Sequence, residues 1–162
     1  MAVLKIRINP DPVLRKKARK VTSLDNSVQK LIDDMIDTMH ESQGIGLAAN
    51  QVGVPLRIVV IHLPDEKDVL VLINPEVVER TGERRVVEGC LSIPGYQGEI
   101  TRAQSVKVKA KDRNGKPIRK KASNNLLANC LEHEIDHLNG ILYIDHMANT
   151  DTLFKTENEL AE

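Results

Sequence analysis

The sequence predicts an α+β protein built on antiparallel sheet, and three observations lead there. Helical periodicity occurs twice, early and late, while between the two the apolar residues fall in short runs or alternate with charged ones. Those strand-like runs follow one another through tight turns with no helical stretch between them, which favours antiparallel pairing over a βαβ unit. The 162 residues, 41% hydrophobic and 28% charged, suffice for one domain with a real core.

Taken in order, Asp11-Pro12 reads as an N-cap followed by proline at the first helical position, opening a short basic helix to about residue 18. Val28, Leu31, Ile32, Met35, Ile36 and Met39 then recur at i, i+3, i+4, i+7, i+8 and i+11. That spacing predicts an amphipathic helix of about four turns or more, stopped by Gly44. Residues 57–62 (RIVVIH) and 69–74 (VLVLIN) flank the polar turn PDEKD and predict a hairpin. Residues 76–80 and 83–87, on either side of Thr81-Gly82, predict another. From Ser105 onward Val106, Val108 and Ala110 alternate with lysines, as in a strand with one wet face, and Asn114-Gly115 is a strong hairpin-turn signal. Ser123 is placed to cap a second long helix running to about Leu138 and ended by Gly140. Residues 148–162, with Asp151, Glu157, Glu159 and Glu162 against Lys155 alone, read as a short acidic tail that follows a domain of residues 1–147.

Composition narrows the function. Twenty-three basic and 23 acidic side chains cancel, and only Tyr96, Tyr143 and Phe154 are aromatic. A core of Ile, Leu and Val follows, and a nucleic-acid binder that stacks bases on aromatic platforms is disfavoured. Two cysteines, Cys90 and Cys130, make no disulfide framework in a chain this long. The opening MAVLKIRINPDP lacks the apolar region of a signal peptide, and the longest apolar runs, at 58–61 and 69–73, are too short to span a bilayer. A cytoplasmic protein with no membrane partner is expected.

The chemistry gathers on the second helix, at His133-Glu134-Ile135-Asp136-His137. Residues four apart share a helix face, so both imidazoles can reach one metal ion. Glu134, about 100° round the helix, can address a metal-bound water without ligating. An open catalytic site normally takes a third protein ligand. The metzincin continuation HExxHxxGxxH fails, because Tyr143 stands where its third histidine belongs. Glu157, His146 and Cys90 remain, the last in Glu88-Gly89-Cys90-Leu91-Ser92, where a thiolate would suit zinc or ferrous iron. Cys130, one turn before His133, suits the wall of an apolar pocket, although two cysteines with two histidines would make a closed structural site. The segment GIGLAANQ at 44–51 reads as a small-residue loop. It is no phosphate cradle, having neither GxxxxGK[ST] nor a strand before it, and its Gln51 offers an amide donor for an oxyanion.

GIGLAANQ (44–51), EGCLS (88–92) and HEIDH (133–137) together resemble the peptide deformylase family, in order and at that family's separations. The likeness runs from the Asp11-Pro12-Val13-Leu14-Arg15 start to about Met147 and marks residues 1–147 as the catalytic domain. It implies antiparallel sheets around a central metal-bearing helix. It also implies removal of the N-formyl group from the formyl-methionine of newly made polypeptides, releasing formate. By the resemblance the metal ligands are Cys90, His133 and His137, the general base and acid is Glu134, and the oxyanion donors are the Gln51 side chain and the Leu91 backbone N–H. One Fe2+ per chain is implied, with Zn2+ or Ni2+ able to substitute. The partners expected are nascent formyl-methionyl chains at the ribosome, for a monomer with no direct nucleic-acid specificity. An aliphatic pocket suits methionine, and Ile45, Val87, Leu126 and Cys130 are its expected walls, with substrate backbone pairing near Ile45 and Gly46. Asp136 is expected to pair with Arg102. Two rival readings are a small HExxH zinc peptidase with a downstream ligand, and a non-catalytic protein with a closed metal site.

Overall fold

The computed structural model describes residues 2–147 and 153–155. Its fold is α+β, and antiparallel strands wrap a central helix as expected. The N-terminal basic helix is shorter than predicted. Asp11 does cap it, accepting from the Val13 N–H, but the turn is a 3-10 helix over Pro12–Arg15 only. Helix α1 spans Asn26–Glu41, capped by the Asp25 carboxylate on the Val28 N–H. It buries Val28, Ile32, Met35 and Met39, with Leu31 and Ile36 at the margin of the same cluster. Gly44 does not stop it. The helix ends at Ser42, and the residue with positive φ is Gln43 at 57°.

Strand β1 (Gly46–Ala48) occupies part of what reads as a loop. It pairs antiparallel with β2 (Ile58–Ile61), which pairs with β3 (Leu70–Thr81) as the first predicted hairpin requires. All four residues of β2 are buried because both its faces are covered. Ile58 and Val60 pack towards α1, while Val59 and Ile61 pack towards the second helix. An unbroken IVVI run is the signature of such a doubly covered strand. Strands β6 (Ser105–Lys111) and β7 (Pro117–Ser123) complete a five-stranded sheet in the order β1-β2-β3-β6-β7.

The second predicted hairpin does not form. β3 continues through Thr81 as one strand and pairs with β6, Glu76 opposite Lys109 and Thr81 opposite Ser105. Gly82, at φ 67°, instead turns the chain into a second sheet, where β4 (Arg84–Cys90) pairs with β5 (Ile93–Arg102). A tight Thr-Gly turn is needed for either route, and only the partner surfaces distinguish them. Three residues of the expected tail form β8 (Leu153–Lys155) against Tyr96, Gln97 and Gly98 of β5. The rest of that tail, including Glu157, lies outside the described residues.

Helix α2 spans Leu126–Leu138. Its cap is Asn125, accepting from the Ala128 N–H, because Ser123 is still the last residue of β7. Leu131, Ile135 and Leu138 meet Val59, Leu72 and Val108 in the main core. The helix closes as predicted at Gly140, whose φ is 75°. A Cβ there would lie 2.6 Å from the Arg15 carbonyl oxygen, so the first turn of the protein is packed against the helix end through a bare backbone. Gly140→Ala is expected to lower stability by about 1–3 kcal/mol in urea unfolding, from the left-handed backbone and the clash together.

Candidate metal centre

Nearly every residue of α2 from Ala128 onward is buried, polar ones included. Buried charges are ordinarily paired, and two of the three carboxylates of α2, Glu132 and Asp136, have an arginine supplied by a strand. Glu132 accepts from Arg80 Nε at 3.1 Å and from the Ala103 N–H at 2.9 Å. Asp136 accepts from Arg102 Nη1 at 2.7 Å, the pairing expected from sequence, and lies 2.8 Å from His146 Nε2. Arg102, on β5, also donates from Nε and Nη2 to the two oxygens of Glu88, both at 2.8 Å. Burial alone would raise the Glu88 carboxyl, but hydrogen bonds from Arg102 and His133 outweigh it and hold the pKa down at about 2.

Glu88 then orients the site. Its Oε1 lies 2.8 Å from His133 Nδ1, so that nitrogen donates and Nε2 is left with its lone pair facing inward. His133 Nε2 and His137 Nε2 are 3.3 Å apart, and His137 Nε2 is 3.3 Å from Cys90 Sγ. All three ligand atoms lie within 4.8 Å of one another. Bonds of about 2.0–2.1 Å to nitrogen and about 2.3 Å to sulfur around a tetrahedral cation set donor atoms about 3.3–3.6 Å apart, so the set fits one borderline-soft divalent ion. Cys90 reaches the helix because the β4–β5 register breaks just before it. Gly89 is opposite Gln97, but Cys90 is opposite Ile93. Its sulfur also accepts from the Ser92 N–H at 3.4 Å and from Gln51 Nε2 at 3.6 Å.

Of the other ligand candidates, His146 is turned onto Asp136. It sits in a 3-10 turn over Tyr143–His146. Cys130 is outside the ligand group, and burial pushes its thiol well up, so the closed four-ligand site does not assemble among the described residues.

A cleft of about 650 Å3 opens over this group, lined by Cys90, His133 and Glu134 at its base. Glu134 Oε1 is buried with no hydrogen-bond partner among the described residues. Burial, reinforced by the charges of Glu88 and Asp136 and opposed by His133, lifts its carboxyl to about 7. Space for it depends on Gly46, where a Cβ would fall 2.5 Å from Glu134 Oε2. Gln51, in a 3-10 turn over Ala49–Val52, is held at both ends of its amide: Oε1 accepts from the Ala48 N–H, and Nε2 donates to Ser92 Oγ at 3.1 Å. Leu91, Ile45, Gly46 and Cys130 also line the cleft. Val87 and Leu126 stand at its rim, 52% and 45% exposed. Tyr96 and Gln97 of β5 form a further part of the lining.

Sequence reasoning passed over Glu88 and Ser92. The signal for Glu88 was present, since a histidine that ligates through one nitrogen commonly gives the other to a carboxylate, and Glu88 stands two residues before the candidate ligand Cys90. Nothing in the spacing marks Ser92 as the support of Gln51.

The sequence profile of the polypeptide deformylase family matches residues 3–152. A peptide deformylase of Dehalococcoides mccartyi (strain CBDB1) is 58% identical over 153 residues, 94% of this chain and 91% of that protein. The crystal structure of a peptide deformylase from Legionella pneumophila superposes with a TM-score of 0.88 at 49% identity, covering 91% of this chain and 87% of that one. A Synechococcus elongatus peptide deformylase in complex with actinonin gives 0.86 at 44% identity, covering 90% and 79%.

Replacing Arg102 by Met would leave Glu88 and Asp136 buried without their cation. Urea unfolding of that variant is expected to show a loss of about 3–5 kcal/mol.

Proposed function

The chain belongs to the polypeptide deformylase family, and from that premise we propose how its own residues remove the formyl group from newly made polypeptides. The observation that carries the reading is the convergence of Cys90, His133 and His137 beside the buried Glu134 carboxylate, whose Oε1 has no hydrogen-bond partner among the described residues. Those three residues would hold the metal on which the family depends. The ion would be Fe2+ by the family resemblance, one per chain, with Zn2+ or Ni2+ as substitutes, and a thiolate with two neutral imidazoles accepts any of the three. A divalent cation there supplies positive charge that eases deprotonation of water near neutral pH and polarises the formyl carbonyl.

Glu134 is the general base. A carboxyl in so dry a site takes up a proton readily, and here it takes one from the water whose oxygen adds to the formyl carbon. As negative charge develops on the formyl oxygen, Gln51 Nε2 and the Leu91 N–H donate to it. One such donor is worth about 2.7–4 kcal/mol of transition-state stabilisation. Ser92 and the Ala48 N–H hold the Gln51 amide in place, and the N–H it now turns towards Cys90 Sγ is the one that would pass to the oxyanion. Collapse breaks the C–N bond while Glu134 passes its proton to the departing nitrogen, leaving formate and a free N-terminus.

The methionine side chain would lie against Ile45, Val87, Leu126 and Cys130. The peptide backbone would pair along the outer edge of β1 near Gly46, an edge that takes no other strand among the described residues. Residues 1–147 would form the catalytic unit and 148–162 its acidic tail. The enzyme would act as a cytoplasmic monomer on chains leaving the ribosome; no helix among the described residues is long and apolar enough to cross a membrane. Against the rival peptidase reading, the ligand group among the described residues includes the upstream Cys90.

Protein purified anaerobically and loaded with Fe2+ is expected to release formate from N-formyl-Met-Ala-Ser and to leave acetyl-Met-Ala-Ser intact. Glu134→Ala should keep its metal and lose about 10²–10⁴-fold in turnover; near-full activity would remove Glu134 from the role. Leu126→Asp should reduce the preference for formyl-Met over formyl-Ala substrates in kcat/KM, and an unchanged preference would reject the pocket assignment.

A further inference from the structure

The zero net charge of the chain conceals a segregated surface. Along β6 the outward residues are Ser105, Lys107, Lys109 and Lys111, and along β7 they are Pro117, Arg119, Lys121 and Ser123. The register sets Lys107 directly opposite Lys121 and Lys109 directly opposite Arg119. Like charges facing each other across a ladder destabilise a sheet, so two such pairs in succession cost stability. Glu79 and Glu76 of β3 relieve part of this, reaching Lys107 at 3.3 Å and Lys109 at 3.2 Å. Lys111, Arg119 and Lys121 have no acidic partner among the described residues, leaving a surplus of three positive charges on one flat face.

Lysines commonly guard the open edge of a sheet against pairing with another chain. That explains cations on β7, which is the edge strand. It does not explain Lys107, Lys109 and Lys111, because β6 is paired on both sides. A second feature lies at the end of this face. Thr81, Ser105, Ser123, Lys107 and Lys121 line a notch of about 170 Å3, together with Glu79. The Ser105 and Ser123 hydroxyls are 2.6 Å apart there, so one donates to the other and the second hydroxyl proton is left for an oxyanion.

We propose that the outer face of the β6–β7 hairpin binds the phosphate backbone of RNA, with a phosphate in the Ser105–Ser123 notch and further phosphates over Arg119 and Lys111. Cations on alternate residues of paired strands make a grid about 6.8 Å along and about 5 Å across, which suits a polymer with regularly repeated charge. The three aromatic residues Tyr96, Tyr143 and Phe154 are all outside this hairpin, so bases are not stacked and the contact reads no sequence. A lipid surface is disfavoured because neither strand exposes a large apolar side chain to insert. The face lies outside the cleft lining, and the proposal rests on charge and register and not on the deformylase reading.

The test is fluorescence anisotropy of labelled oligouridylate with the full chain across a salt series. Log K should fall linearly with log salt, and Lys111→Ala/Arg119→Ala/Lys121→Ala should reduce the slope by about 2, at about 0.7 per phosphate contact on a single strand. A control, Lys5→Ala/Lys16→Ala/Lys17→Ala, removes the same charge elsewhere and should leave binding as in the parent. Formate release from a short formyl peptide should be unchanged in both, which shows that they fold. No binding at low salt, or equal loss in the two triple variants, would overturn the proposal. Capture by anionic phosphatidylserine vesicles as tight as by RNA would assign the face to membranes instead.

Discussion

A guanidinium with almost no contact with water, bridging a carboxylate from β4 and another from α2, ties the two halves of the site together. Arg102 donates to both oxygens of Glu88 and to Asp136, and all three are buried. Removing these charges from water costs several kcal/mol per ion, of order, and only complete pairing offsets it. The arrangement is therefore close to all-or-none. It fixes the second sheet against α2 at one depth and one rotation, and through Glu88 it fixes the His133 ring. A metal centre needs donor atoms within a few tenths of an ångström, and the ion network supplies that constraint where apolar packing alone would tolerate slippage.

The two sheets divide the remaining work. The five-stranded sheet packs its interior on both helices around β2 and contributes β1, whose glycine leaves room for Glu134. The smaller sheet contributes the cysteine, by way of a register break that turns one side chain out of the ladder. The cleft is the gap between them, floored by α2. At the β7 side of the larger sheet the β6–β7 hairpin lays one face against α2 and leaves the other wet, and the wet face is where the positive charge collects.

Much of this was legible in the residues. The helical period of Val28 to Met39, the alternation of Val106, Val108 and Ala110 with lysine, and Asn114-Gly115 each state a local preference that the tertiary structure has no reason to override. His133, Glu134 and His137 belong to one turn of one helix, so their geometry follows from spacing alone. Errors fell where a local signal admits two outcomes. Thr81-Gly82 marks a turn but not whether the next strand returns along the same sheet. Ser123 is a good cap, yet pairing with Ser105 keeps it in β7 and passes the cap to Asn125. Gly44 is a helix stop by composition, but it is the contact for Leu91, whose Cδ1 would lie 2.7 Å from a Cβ there.

The sequence by itself determined the two long helices, the first hairpin and the β6–β7 turn, the histidine pair with its neighbouring glutamate, and the three motifs by which the family is known. Choice of the third ligand from geometry, the role of Glu88, the support of Gln51 by Ser92 and the like-charged pairs on the outer hairpin were decided only in three dimensions. The reason is separation along the chain. Cys90 meets His137 across 47 residues, and Gln51 meets Ser92 across 41. Periodicity and capping act within a few residues, whereas contacts between distant segments depend on which surfaces are left to cover once each element has formed.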